Sequence, residues 1–152
     1  MHVSELMSRN VVTIRPSDSC LEAVGRMHRA RMRHLPVVSG EGSLIGIVTD
    51  RDLRHHLFAP HVLIEVGTIA VDIILEAVPV SDVMSAPVMS VPAKADVIEA
   101  ARIMLEDKVG SLPVVEGGKV VGIVTETDVL RQICKADAEC AREIAEIVVS
   151  YP

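Results

Sequence analysis

The stretch Gly46-Ile47-Val48-Thr49-Asp50-Arg51-Asp52 decides the fold, because it returns almost unchanged as Gly122-Ile123-Val124-Thr125-Glu126-Thr127-Asp128. Two other stretches recur in the same order: residues 3–8 resemble residues 80–85, and residues 35–38 resemble residues 112–115. The offset is 77 residues, as between Val3 and Val80, until one residue is lost near Gly117. It is then 76, as between Gly46 and Gly122. A repeat of this length indicates two copies of one structural unit.

Composition limits the classes of protein that fit. The chain has 152 residues, of which 49% are apolar, yet it has one Phe, one Tyr and no Trp, so its core must be aliphatic. This length suits one compact domain or two small halves. The net charge of −6 argues against a general nucleic-acid binder. Three cysteines without Cys-x-x-Cys spacing, and no apolar leader at the start, favour a cytoplasmic protein with reduced thiols.

Hydrophobic spacing predicts strand, helix, strand, strand, helix in each copy. In the first copy we expect strands over 11–14, 35–39 and 44–48, a helix capped by Ser17 and Asp18 that ends near Met32, and a helix from Thr49. In the second copy we expect strands over 88–91, 112–115 and 120–124, a helix over 95–108 and a helix from Thr125. The inward side chains of the 95–108 helix are predicted to be Val97, Ala100, Ala101, Met104 and Leu105.

The predicted division is residues 1–59, a connector 60–79, residues 80–136 and a helical tail 137–152. In the connector, Glu65, Asp72 and Glu76 share one sector of a helix that is otherwise apolar. Three acids are too costly for a membrane span, so we predict a water-soluble helix. Packing inside the molecule and packing against a second subunit both remain open for it.

Each copy places a Thr and an Asp three residues apart where a strand becomes a helix: Thr49 with Asp52, and Thr125 with Asp128. One interpretation is a capping-box variant that satisfies backbone N–H groups. The other is a ligand site, since a helix start suits a phosphate and the carboxylate could accept hydrogen bonds from a ribose. Spacing alone leaves both open.

The chain resembles a tandem pair of CBS domains, also called a Bateman module. The resemblance lies in the Val-x-x-Leu/Val-Met lead-in, the Leu-Pro-Val-Val strand and Gly-Ile-Val-Thr-x-x-Asp, each present twice between about Val3 and Ile133. It implies an α/β (α+β) fold of two pseudo-twofold-related β-α-β-β-α repeats packed sheet to sheet. It also implies two clefts for adenosine compounds: AMP, ADP, ATP, S-adenosylmethionine or NAD.

The resemblance further implies which residues bind the ligand. Asp52 and Asp128 would bind the ribose, with Thr49 and Thr125 as their hydroxyl partners. The adenine would rest on the first strands and their lead-ins, and phosphate on basic residues before the Leu-Pro strands. The predicted ligand-binding residues are Asn10, Val11, Ile14, Arg33, His34, Pro36, Thr49, Arg51, Asp52, Pro87, Val88, Val91, Ser111, Pro113, Thr125, Thr127 and Asp128.

The two copies differ in charge at these positions. The second copy has Gly110, Ser111 and Thr127 at the positions that correspond to Arg33, His34 and Arg51. Most of the positive charge therefore comes from the first copy. We therefore expect unequal ligand sites, since a phosphate needs charge-assisted donors. The nearby Arg26, His28 and Arg29 are interpreted as a solvated helix face, although a nucleic-acid patch is an alternative for the whole basic run.

Histidines 55, 56 and 61 raise the possibility of a metal site, but neighbouring residues on a helix point about 100° apart, so a surface cluster is favoured. The sequence carries none of the usual catalytic motifs. Together with the resemblance to a tandem CBS pair, this predicts a non-enzymatic, adenine-nucleotide-sensing homodimer that acts on a separate effector protein. The alternatives are a scaffold without a ligand, or a binder of S-adenosylmethionine, NAD or nucleic acid.

Overall fold

The computed structural model describes residues 1–57 and 71–135. The α-helices in these ranges are α1 (Cys20–Ala30), α2 (Asp50–Leu57), α3 (Val71–Ala77), α4 (Val97–Asp107) and α5 (Glu126–Lys135). The strands are β1 (His34–Val38), β2 (Leu44–Thr49), β3 (Ser111–Glu116) and β4 (Lys119–Thr125). Strands β1 and β2 form one two-stranded sheet and β3 and β4 another, so the predicted mixed α/β class is confirmed.

The two long helices begin and end in the same way. Ser19 caps α1 by accepting the Glu22 N–H at 3.2 Å, and Asp96 caps α4 by accepting the Ile98 N–H at 2.8 Å. Each helix stops at a left-handed residue, Arg31 in one and Lys108 in the other. Ser17 and Asp18 were predicted as caps, and this was wrong. Asp18 instead accepts the Arg15 N–H at 3.0 Å, which closes the turn before the helix.

The predicted first strand of each copy is reduced to a single bridge. Ile14 donates its N–H to the Pro36 carbonyl at 3.0 Å and accepts the Val38 N–H at 2.9 Å. Val91 makes the matching bridge to Val114. A parallel ladder that continued toward Val12 would need an N–H from Pro36, and proline has none. Pro113 stops the second copy for the same reason.

Two compact units form, and their boundaries do not follow the sequence repeat. The first-hairpin unit contains β1 and β2 and comprises the described parts of residues 10–89 together with 117–120. The second-hairpin unit contains β3 and most of β4 and comprises residues 1–9, 90–116 and the described residues from 121. Each unit therefore takes its lead-in segment, residues 1–9 or 80–89, from the other sequence copy.

Hydrogen bonds and packing show the same exchange. Ser8 and Ile123 exchange backbone hydrogen bonds at 2.9 and 3.0 Å within the second-hairpin unit, and Val3 is fully buried in its core. Ser85 and Ile47 exchange them at 2.8 and 3.1 Å within the first-hairpin unit. Val80 is fully buried there, in a cluster with Ile14, Leu35, Val37 and Val48.

Both cores are aliphatic, as the composition predicts, but one inward residue was predicted wrongly. Val97, Ala100 and Met104 are buried along one side of α4, whereas Leu105 is 78% exposed. Leu105 lies about 100° round the helix from Met104, beyond the face that meets the core.

Only part of the predicted connector helix can be compared. Its described part is α3, in which Leu75 is buried and Glu76 accepts the Ser19 hydroxyl at 3.0 Å, so this stretch packs within the first-hairpin unit. Residues 58–70, including Glu65, and the predicted tail helix after residue 136 lie outside the described residues. Within the described residues, none of the helices has the length and apolar character needed to cross a bilayer.

Candidate functional site

The same hydrogen-bonded turn opens α2 and α5. Asp52 Oδ2 accepts two hydrogen bonds from Thr49, one from its N–H at 2.9 Å and one from its hydroxyl at 2.7 Å. The Asp52 N–H returns a bond to Thr49 Oγ1 at 3.1 Å. Thr125 and Asp128 repeat the pattern at 2.9, 2.7 and 3.3 Å. The capping arrangement is thus present in both copies, and it fixes the orientation of both carboxylates.

The capping bonds use only half of each carboxylate. All of them go to Oδ2, and no hydrogen bond to Oδ1 of Asp52 or Asp128 is found within the described residues. Both side chains are half-buried, and neither Oδ1 is a buried polar atom that lacks a hydrogen-bond partner, so each Oδ1 retains contact with solvent. A carboxylate held by one oxygen with the other free can accept hydrogen bonds from a neighbouring pair of hydroxyl groups.

The residue before each hairpin lies beside the helix start. The Asp50 N–H donates to the Arg33 carbonyl at 3.0 Å, and the Glu126 N–H donates to the Gly110 carbonyl at 3.1 Å. His34 follows Arg33 and pairs with Thr49 across the β1–β2 ladder. In the first-hairpin unit, the backbone therefore brings Arg33 and His34 next to the Thr49–Asp52 turn.

The predicted ligand-binding residues divide between the units. The first-hairpin unit holds those that lie within residues 10–89: Asn10, Val11, Ile14, Arg33, His34, Pro36, Thr49, Arg51, Asp52, Pro87 and Val88. The second-hairpin unit holds Val91, Ser111, Pro113, Thr125, Thr127 and Asp128. Pro87 and Val88 thus lie in the same compact unit as Asp52.

Several of these residues are buried. Ile14 is 1% exposed and Val91 3% exposed, and Pro36 and Pro113 are among the fully buried side chains. Ser111 is 5% exposed. A ligand at these positions would meet the backbone more than the side chains. Arg33, Arg51, Asn10 and Pro87 are exposed, and the remaining members of the set are half-buried.

Arg26 has a role that the sequence did not indicate. Its guanidinium donates to Glu22 at 2.7 Å and to the Thr13 carbonyl at 2.6 Å, and lies 3.3 Å from Asp18. The interpretation of Arg26 as a solvated residue was therefore wrong. The hydrogen bond from Arg26 lowers the pKa of Glu22. At the 77-residue offset the counterpart of Arg26 is Ile103, so the two copies differ at this position.

Arg26 also lines a hollow of about 480 Å³ in the first-hairpin unit, together with Thr13, Ile14, Arg15, Asp18, Val38, Ser39, Gly40 and Gly42. The hollow lies at the turn end of the hairpin, whereas Asp52 lies beside the opposite end of β2. Its three charged residues include the paired Arg26 and Asp18.

Metal ligands are not clustered in the part of the chain that the structure describes: no group of three His, Cys, Asp or Glu side chains there is placed to hold an ion. His61 lies outside that part. Cys20 is buried, and burial, with a smaller contribution from Asp82, raises the pKa of its thiol to about 11.

Comparisons with known proteins agree on one family. A model of the CBS domain matches residues 3–59 and 80–135. An uncharacterized protein of Methanocaldococcus jannaschii is 33% identical over 132 residues, covering 86% of this chain and 31% of the relative. The chain thus spans about a third of that relative's length.

Solved structures show the same likeness. CBSX2 in complex with AMP is 27% identical, with a TM-score of 0.73 over 90% of this chain and 98% of that one. A CBS domain pair in complex with 5′-methylthioadenosine and S-adenosyl-L-methionine is 25% identical, with a TM-score of 0.71 over 88% of this chain and 99% of that one.

Proposed function

Because the chain belongs to the CBS-domain family as a tandem pair, we propose that it is a regulatory module that binds an adenosine nucleotide of the AMP, ADP or ATP class. The observation that carries this proposal is the half-used carboxylate at each helix start. Thr49 and Thr125 hold Oδ2 of their aspartates, which leaves Oδ1 free for a ligand. One structural relative is bound to AMP, which supports the ligand class.

The proposed binding mode follows from the chemistry of the helix start. The ribose hydroxyls donate to Oδ1 of Asp52 or Asp128. The start of α2 lies at the positive end of the helix dipole, which favours a phosphate there. Arg33 and Arg51 provide side-chain donors for the same phosphate, each worth roughly 1.5–3 kcal/mol when desolvated.

Regulation requires that the nucleotide bind two conformations of the module unequally. We propose that the preferred conformation is read by a separate effector protein. The proposed output is binding to this effector rather than turnover.

We also propose that the module is a homodimer. Four apolar side chains on α4 and α5 are exposed within the second-hairpin unit: Ile98 at 71%, Leu105 at 78%, Leu130 at 54% and Ile133 at 62%. Helices α4 and α5 pack against each other, so these side chains lie on adjoining elements. Exposed apolar area of this kind commonly marks a contact surface, and a second copy would supply a matching one.

The test measures nucleotide binding in two ways, by calorimetry and by the shift in thermal unfolding. A nucleotide at a hundred times its dissociation constant should stabilise the fold by about 2.7 kcal/mol. We expect this from at least one of AMP, ADP and ATP. At least one of the two variants Asp52→Asn and Asp128→Asn should weaken binding at least tenfold. Asp50→Asn is the matched control, because it removes one carboxylate charge from the same helix start but breaks only the Arg54 pair at 2.9 Å.

A scaffold without a ligand is the second candidate, and the capping bonds favour it. In a scaffold the two aspartates would serve only α2 and α5, so Asp52→Asn would lower the free energy of unfolding by about 1 kcal/mol. None of the three nucleotides would then shift the melting temperature. That result would refute the proposed function.

A further inference from the structure

The two helix starts have the same backbone geometry but different charge. The Thr–Asp bonds agree in the two copies to within 0.2 Å, the largest difference being 3.1 against 3.3 Å. The carbonyl that meets the helix start belongs to Arg33 in one unit and to Gly110 in the other. At the helix starts the two copies therefore differ in their side chains and not in their backbone hydrogen bonds.

In the described part of the first-hairpin unit, two cations at this place have no carboxylate partner. Arg33 and Arg51 are exposed, and neither makes an ion pair within the described residues. Neighbouring arginines are engaged, since Arg26 and Arg29 pair with Glu22, and Arg54 pairs with Asp50. Two cations thus remain available at the start of α2.

The start of α5 in the second-hairpin unit lacks these cations. Gly110 has no side chain and Thr127 is neutral, while Glu126 and Asp128 are both within the first turn of α5. Neither acid makes an ion pair within the described residues. The first cation along α5 is Arg131, three residues beyond Asp128. The start of α2 also carries two acids, Asp50 and Asp52, but Arg54 pairs with Asp50 there and Arg33 and Arg51 lie nearby. At the start of α5 a phosphate would face two carboxylates without such cations, and this repulsion opposes its binding.

We propose that the two sites take different classes of adenosine compound. The Asp52 site binds a nucleotide through its phosphate. The Asp128 site binds an adenosine whose 5′ substituent is neutral or cationic, such as a thioether or a sulfonium. This inference rests on the proposed function, because it assumes that each aspartate binds a ribose.

The experiment measures the affinity of AMP and of 5′-methylthioadenosine by calorimetry, with the full chain. The variants are Asp52→Asn, Asp128→Asn and the double variant Arg33→Gln/Arg51→Gln. Arg102→Gln serves as the control for net charge, since Arg102 is an exposed cation on α4.

We expect AMP to bind at least tenfold more weakly to Asp52→Asn and to the double variant, and less than threefold more weakly to Asp128→Asn and Arg102→Gln. We expect 5′-methylthioadenosine to bind at least tenfold more weakly to Asp128→Asn alone. Saturating AMP should leave 5′-methylthioadenosine binding in place.

Three outcomes would overturn the inference while leaving the proposed function intact. The first is that AMP binds and 5′-methylthioadenosine does not. The second is that the double variant weakens both ligands equally. The third is that Asp128→Asn weakens AMP as much as Asp52→Asn does. Absence of binding by any adenosine compound to the unmodified protein would instead refute the proposed function.

Discussion

Substituting Gly46 by alanine tests the exchanged lead-in segment directly. A Cβ at this position would lie 2.7 Å from Sδ of Met84 and 3.2 Å from the carbonyl oxygen of Ser85. Met84 can move, but Ser85 is held by backbone hydrogen bonds to Ile47 at 2.8 and 3.1 Å. Overpacking costs about 1–3 kcal/mol, and the stiffer unfolded chain returns about 0.4–1 kcal/mol. The midpoints of these ranges differ by about 1.3 kcal/mol, so we expect Gly46→Ala to destabilise the protein by about that amount.

The assay is urea unfolding of the ligand-free protein, followed by circular dichroism. Gly40→Ala is the control, because a Cβ there meets nothing within 4 Å, and its stability should change by less than about 0.5 kcal/mol. Adding Met84→Ala should relieve most of the overlap, so the double variant should be more stable than the sum of the single changes predicts. Equal free energies of unfolding for Gly46→Ala and Gly40→Ala would contradict the packing of the lead-in segment against Gly46. Strict additivity in the double variant would contradict it as well.

Three further results are expected. The pKa of the Cys20 thiol is raised in the folded state. Its contribution to stability should therefore be complete below pH 9.0, the ordinary thiol pKa, and be lost as the pH rises to about 11. Cys20→Ala should lack this loss in denaturant unfolding. Val3→Ala should lower the free energy of unfolding by roughly 2 kcal/mol and reduce amide-exchange protection in β3 and β4. Val80→Ala should instead reduce protection in β1 and β2. Reduced protection in the hairpin of the same sequence copy would contradict the exchange of lead-in segments. Leu105→Glu should convert a dimer into single chains in light scattering, and an unchanged mass would exclude this face as the contact.

Much of the fold could be predicted because the sequence contains two copies of the same structural unit. The repeat placed the hairpins, and the glycine turns and helix spacing placed most helix ends within a few residues. The Thr–Asp pairs could be predicted as helix starts because their spacing suits reciprocal hydrogen bonds. Their dual nature as cap and candidate ligand site remained open, since the same geometry serves both.

The exchange of lead-in segments could not be predicted, because the two copies are chemically alike where they meet. Ser8 and Ser85 offer the same backbone groups, and Ile47 and Ile123 offer the same partners. Either pairing would satisfy the local chemistry, so the choice depends on the path of the whole chain. Periodicity likewise favoured burial of Leu105, but only one side of α4 meets the core.

The proline in each Leu-Pro strand shortens the neighbouring strand, although the hydrophobic pattern predicts a longer one. Pro36 and Pro113 each remove the N–H that would extend the pairing with the 11–14 or 88–91 stretch. The ion-paired position of Arg26 also escaped prediction, because it depends on Thr13 and Asp18 folding back onto α1.

The exchanged lead-ins determine how this protein can be recombined with its relatives. A chimera that transplants residues 1–59 would separate β1 and β2 from Val80 and Ser85 and would deliver Val3 and Ser8 to a foreign hairpin. A graft that spans residues 10–89 would carry one core almost whole. Shuffling at the borders of the sequence motif should therefore yield poorly folded hybrids, whereas crossovers near residues 9 and 90 should preserve the partners that each hairpin needs.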